Sequence, residues 1–258
     1  DWKTYENDKI DSTGYIIYGL CILLFIYGFT NLMNMTGMIC TAIGFILLII
    51  FGYYETKVQS PAFNMRLFKN MKFTSSNVAA LCSYLAVAAI TTILNYHFQY
   101  VRGWNAQMSG LILIITPIIM AFMALTSGKL SDRIHPQKLA AIGMSIATVT
   151  LVILIFLDSN TPIYLIVIAM VLQGIGMGLF TSPNTNAIMS SVPPNETPNA
   201  SAAQSAMRTI GQTMSLGLLT LVFAWIMGSL ELSSQYADMI VQSSQIVCII
   251  CTAICIIA

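Results

Sequence analysis

Apolar residues fall in long, almost unbroken runs, and polar residues are gathered into short stretches between them. A helix needs about 20 consecutive apolar residues to cross the hydrocarbon core of a bilayer. Eight stretches approach or exceed that length: 13–32, 37–54, 75–97, 107–127, 139–157, 163–182, 203–227 and 240–258. They are far longer than barrel strands and lack sustained in–out alternation. Backbone groups in lipid must be satisfied within each segment, so the pattern predicts helices. The expected fold is an all-α integral membrane protein, a helical bundle of about eight transmembrane helices.

Composition agrees with lipid as the main solvent. Hydrophobic residues make up 57% of the chain and charged residues only 8%, where a soluble domain carries about 25%. Mean hydropathy is +0.78. The formal net charge of +1 says little, so the information lies in placement. With eight spans both ends share one side, and on that side fall Lys3, Lys9, Lys57, Arg66, Lys69, Lys72, Lys129, Arg133 and Lys138. Arg102 stands alone on the other. Lys and Arg accumulate in cytoplasmic loops, so both ends are expected to be cytoplasmic in a multi-pass cell-membrane protein. The six cysteines all lie within apolar runs. Cys248, Cys251 and Cys255 share a helix face but have no His, Asp or Glu beside them, and they read as packing residues rather than metal ligands.

Several polar positions interrupt the runs. Thr91, Asn95 and Gln99 recur at four-residue spacing and therefore share one helix face, suited either to a substrate cavity or to a partner helix. Thr116 precedes Pro117 in the middle of the fourth run, where a proline frees a carbonyl and kinks the helix. Gln173 opens a glycine-rich stretch in the sixth. Gly174 and Gly178 are four apart, as are Gly211 and Ser215, the spacing that lets helix backbones approach closely. His97 is expected at the outer interface. Residues 55–73 place Phe63, Leu67, Phe68 and Met71 at helical spacing among Arg66, Lys69 and Lys72, which fits a basic amphipathic piece on the membrane surface or a solvated loop.

Between the fourth and fifth runs lies a tight charged hairpin containing Gly128, Leu130, Asp132 and Arg133. Taken alone, it could serve only to set topology. Its wording, Gly-x-Leu-x-Asp-Arg, resembles the signature loop of the major facilitator superfamily of secondary transporters, although His135 and Gln137 depart from the usual glycine and basic residue. A span ending in Gly174-x-Gly176-x-Gly178 is followed by Ser182-Pro183-Asn184-x-Asn186-Ala187-Ile188-Met189 and later by Arg208-x-Ile210-Gly211. This wording resembles the EmrB/QacA-type drug:proton antiporters, which have fourteen spans with two extra helices between six-span halves. The resemblance covers essentially the whole chain. It implies a cytoplasmic connection at 1–12, two linker helices over 13–54, a cytoplasmic amphipathic linker over 55–74 and the six-helix C-terminal transporter bundle over 75–258. The hairpin would then be a conformational-switch loop, and the N-terminal half of the same polypeptide would lie outside this chain, which opens on Asp1.

Arg208 can be read two ways from the sequence. It either lies well inside the seventh span, where a central arginine costs about 2.5–3.5 kcal/mol, or snorkels at its boundary. The resemblance, in which an arginine occurs at this place, gives it a part in helix packing or gating together with Gly174, Gly178 and Gly211.

The function that follows is multidrug efflux by proton antiport through alternating access, with a lipophilic drug as small-molecule substrate and the lipid bilayer as surroundings. No membrane carboxylate is visible in the spans, so the coupling residue is expected in the missing half, where the family has it. A transporter of the same fold carrying a sugar, amino acid or lipid is the alternative. A membrane enzyme or channel is remote: the two histidines lie in different loops, and neither acidic rings nor a carbonyl filter is present. No catalytic residues, cofactor, metal site or nucleic-acid partner is expected.

Overall fold

A computed structural model describes residues 12–31, 34–57, 65–131, 134–228, 230 and 232–257. Among these described residues nine α-helices follow in chain order: α1 (Ser12–Thr30), α2 (Met35–Glu55), α3 (Met71–Tyr96), α4 (Ala106–Leu113), α5 (Ile115–Ser131), α6 (Pro136–Ile155), α7 (Ile163–Met189), α8 (Thr197–Met227) and α9 (Ala237–Ile257). Among the described residues, seven helices are long and apolar enough to cross a membrane, with α4 and α5 together forming one of them. The first apolar run contributes a shorter apolar helix, Ile16–Phe29. No strand occurs among the described residues.

The break between α4 and α5 has a local cause. Pro117 has no N–H to offer the Leu113 carbonyl, and its ring crowds that carbonyl. The first helix accordingly stops at Leu113 and the second starts at Ile115, with Ile118 N–H bonded to the Ile114 carbonyl at 3.2 Å. Pro183, in contrast, lies inside α7, which runs unbroken from Ile163 to Met189.

Contacts between the helices fix their directions. Ala89 N–H on α3 donates to Ser215 Oγ on α8 at 2.8 Å, and Gly211 abuts the Leu81 carbonyl, so these two helices run parallel. Gly143 and Gly176 face each other across α6 and α7, with Gly143 also near Phe180 and Gly176 near Ala147, an antiparallel crossing. On α9, Gln245 Nε2 donates to the Leu157 carbonyl at 2.9 Å, and Thr148 Oγ1 donates to Cys255 Sγ at 3.2 Å. Hence α3, α6 and α8 point one way and α5, α7 and α9 the other. Lys72, Lys129 and Lys138 gather at one end, and Arg102 lies at the opposite end.

The core joins α3, α6, α7, α8 and α9 around Ile93, Leu94, Leu151, Leu154, Ile166 and Met170. Large apolar side chains point outward as well: Phe122 is 66% exposed and Trp225 79%. An exposed apolar belt of this size would be a liability in water, but it is the proper surface for lipid. Cys248, Cys251 and Cys255 are buried free thiols on α9. α1 and α2 form a hairpin whose Phe29 ring sits directly against Gly217 on α8.

Within the amphipathic stretch after α2, a 3-10 turn over Met65–Lys69 seats Leu67 and Phe68 on Phe73, Ile188, Ala200 and Ala203, while Phe63 lies outside the described residues. Phe68 and Phe73 meet edge to face at 5.2 Å, and Asn70 Nδ2 donates to the Ser191 carbonyl at 2.8 Å. Leu67 and Phe68 are thus partly covered by the helix ends, whereas Met71 is 81% exposed. His97, placed by sequence at an interface, is 1% exposed. A π-helical turn over His97–Val101 carries its ring inward beneath Arg102, whose Nε–H donates to His97 Nε2 at 3.4 Å and whose Nη2 donates to the Thr161 carbonyl.

Candidate functional site

Between α3, α5, α7 and α8 lies a cavity of about 280 Å³, closed on its inner side by Thr150 and Leu154 of α6. Most of its wall is apolar. The polar side chains that reach it include Thr91 and Tyr84 from α3, Thr116 from α5, Gln173 from α7, and Arg208 and Gln212 from α8. A larger hollow of about 600 Å³ opens between α3, α6, α7 and α9, lined by small uncharged polar residues such as Ser75, Ser145 and Asn184. The smaller cavity combines an ionisable group, Arg208, with an unpartnered amide, Gln173.

Each polar group in it has a local reason for its position. Thr116 stands beside the proline break, and its hydroxyl donates to the Met170 carbonyl on α7 at 3.3 Å. That cross-link holds the start of α5 to the helix bearing Gln173. Thr150 turns its hydroxyl back to the Ile146 carbonyl at 3.2 Å. Gln173 is 2% exposed, and neither its Oε1 nor its Nε2 has a hydrogen-bond partner among the described residues. A buried polar group left so costs about 1–3 kcal/mol. Exchanging the two amide ends would not help, because both lack partners.

Arg208 lies about 16 Å along α8 from Thr197, at roughly 1.5 Å per residue. Its side chain faces the cavity, with the guanidinium carbon 5.2 Å from the centre of the Tyr84 ring, within the range of a cation–π contact. The side chain itself is exposed on the cavity side of α8. Among the described residues lining the cavity there is one guanidinium and no carboxylate. Glu55, assigned from sequence to a loop or edge, closes α2 with its side chain 2% exposed, away from this wall.

The cavity brings together Thr91, Thr116, Gln173 and Arg208 but not Asn95 or Gln99. The last two share a face, as their spacing requires, and satisfy each other: Gln99 Nε2 donates to Asn95 Oδ1 at 2.7 Å. Gly174 and Gly178 lie against α5. A Cβ on Gly174 would stand 2.7 Å from the Thr116 carbonyl oxygen, and one on Gly211 would stand 2.6 Å from that of Leu81. Gly128 is half-buried near the end of α5, with Ser182 Oγ 3.8 Å from where its Cβ would be. Leu130 is exposed, and Asp132 and Arg133 fall outside the described residues. Sequence reasoning missed Gln212 and Tyr84. The signal was available, since Gln212 follows Arg208 by one turn and Tyr84 precedes Thr91 by two.

The sequence profile of the Major Facilitator Superfamily matches residues 11–216. Riboflavin transporter RibZ of Clostridioides difficile (strain 630) is 26% identical over 222 residues, covering 85% of this chain and 48% of that protein. Multidrug resistance protein Stp of Mycobacterium tuberculosis is 24% identical over 233 residues, covering 86% and 42%. Multidrug efflux pump LfrA of Mycolicibacterium smegmatis is 23% identical over 182 residues, covering 70% and 36%. The chain thus spans about half the length, or less, of these curated relatives.

Proposed function

This chain belongs to the Major Facilitator Superfamily, and from that premise we propose that it is the C-terminal part of a fourteen-span multidrug exporter of the EmrB/QacA type. The family and the transporter-named relatives indicate transport rather than an enzymatic reaction. In this reading α1 and α2 are the two additional helices, and α3–α9 supply six spans, since α4 and α5 form one. The bundle is one of two bodies that rock about a shared midplane site. The basic end, with Lys72, Lys129 and Lys138, faces the cytoplasm, in the cell membrane. The hairpin after α5 acts as the switch loop.

The observation that supports the reading best is the cavity itself: a largely apolar wall with a few polar groups. Such a site accepts lipophilic molecules. Proton exchange needs a carboxylate that titrates within the membrane, and no described lining residue provides one. The coupling group therefore belongs to the half outside this chain. Relatives named as multidrug transporters agree with this substrate class.

A second reading, a transporter of another small solute such as a sugar, amino acid or lipid, is favoured by the amides in the wall and by a relative named for riboflavin. One experiment separates the two. Inside-out vesicles containing the full-length protein are energised with a pH gradient and offered either ethidium or neutral metabolites. Multidrug exchange requires gradient-dependent ethidium uptake that an ionophore abolishes; uptake of the metabolites alone selects the second reading.

A further inference from the structure

We propose that Gln173 and Arg208 form a recognition subsite for planar, uncharged or anionic ligands that carry a lactam or imide edge. The proposal rests on the transporter reading and narrows its substrate class.

Two independent observations lead to it. The first is the Gln173 amide, buried in the cavity wall with donor and acceptor both unpartnered. The hydroxyls of Thr116 and Thr150 donate to main-chain carbonyls, and neither lies within hydrogen-bond distance of the Gln173 amide. One ligand group that satisfies the amide at both ends presents an N–H and a C=O side by side, as the edge of a lactam or imide does. A site built to hydrogen-bond such a group rejects analogues that lack it strongly, because its buried polar atoms would be left unpaired.

The second observation is the charge of the wall. Arg208 brings a guanidinium to the cavity, its planar group against Tyr84, and no carboxylate among the described lining residues offsets it. A guanidinium on the cavity wall, even an exposed one, disfavours a cationic ligand and favours an anionic or electron-rich planar one. The pair therefore discriminates twice, by hydrogen-bond pattern at Gln173 and by charge at Arg208. Apolar surface from Val87, Ile90 and Leu113 would cover the faces of the ring system.

The test uses the purified full-length protein and three fluorescent or fluorogenic probes. Lumichrome has a planar ring with lactam and imide edges, its 1,3-dimethyl derivative has lost both N–H groups, and ethidium is a planar cation. Wild type is expected to bind lumichrome at least tenfold more tightly than the methylated analogue. Gln173→Leu should bring the two to equal affinity by weakening lumichrome, whereas Gln173→Asn should retain part of the preference. Arg208→Gln should raise ethidium affinity several-fold without removing the preference for the imide. Equal binding of the two alloxazines by wild type, or the same preference in Gln173→Leu, overturns the subsite. So does ethidium binding that Arg208→Gln leaves unchanged. Gradient-driven ethidium uptake without lumichrome binding sinks the subsite and leaves the transporter reading standing. Lumichrome discrimination at Gln173 with no gradient-driven movement of any probe does the reverse.

Discussion

Replacing Gly178 by alanine puts one methyl group where α5 and α7 already touch. The new Cβ would stand 2.5 Å from Met123 Cβ, 2.8 Å from the Met120 carbonyl oxygen and 3.1 Å from Ala124 N. Two of these neighbours are backbone atoms, which cannot rotate out of the way as a side chain end can. The helices must separate, and α5 is held to α7 one turn further along by Gly174 and by the Thr116–Met170 hydrogen bond. Overpacking of this kind costs about 1–3 kcal/mol, a factor of roughly 5 to 150 in the folding equilibrium at about 1.4 kcal/mol per tenfold. Gly110→Ala is the matched control: nothing lies within 4 Å of its added Cβ, and the helix should gain up to about 1 kcal/mol from alanine. The assay is thermal unfolding of the full-length protein in detergent with a thiol-reactive dye, which reads the exposure of buried Cys248, Cys251 and Cys255. Gly178→Ala should unfold at a clearly lower temperature than wild type, and Gly110→Ala at the same temperature or higher. Equal melting of both variants would refute the claim that backbone approach at Gly178 holds these helices together.

Two further substitutions probe other joints of the bundle. Ser215→Ala leaves the Ala89 N–H without its side-chain acceptor between α3 and α8 and should cost about 0.5–1.5 kcal/mol; the same unfolding assay checks it, with Ser215→Thr expected to keep the bond at the expense of some crowding. Phe68→Ala strips the main apolar contact of the Met65–Lys69 turn with Phe73. Because Phe68 is only partly buried, the loss should stay below the ~3 kcal/mol of a fully buried ring, and limited proteolysis should cut within 58–70 faster than in wild type.

The helices were legible because lipid leaves the backbone so few options. Once the apolar runs are long enough, helix is required, and Pro117 even marks where one of them breaks. The cavity was legible in polar residues that interrupt apolar runs, Thr91, Thr116 and Gln173, and in Arg208. Asn95 and Gln99 carried an equally strong signal and were assigned to the same wall, yet they bond to each other. Spacing shows that two amides share a face; it cannot show that each is the other's partner. The burial of His97 was legible but not read: Ile90, Ile93, Leu94 and His97 recur at helical spacing on the buried face of α3. Leu67 and Phe68 fit a helix lying on lipid, and nothing in their own segment reveals that Phe73, Ile188 and Ala203 offer them a better surface near the water.

The glycines of α7 show how one sequence feature serves the whole wall. Positions two apart on a helix are separated by about 200°, so Gly174 and Gly178 face one neighbour while Gly176, between them, faces another. That is the arrangement found: the outer pair meets α5, and Gly176 meets Gly143 and Ala147 on α6. Apolar burial gives little drive for association between helices in lipid, so close packing on both sides is what fixes α7 in place. Gln173 sits next to Gly174 on that doubly gripped helix, with the Thr116 hydrogen bond one turn away. The amide is therefore carried by the most constrained backbone of the cavity, and Arg208 stands on α8, which is itself pressed to α3 at Gly211 and bonded to it through Ser215. A ligand spanning the two residues would be read by groups whose separation is set by backbone contact rather than by flexible side-chain packing. Such a wall can discriminate by hydrogen-bond pattern, which a loosely packed apolar pocket cannot.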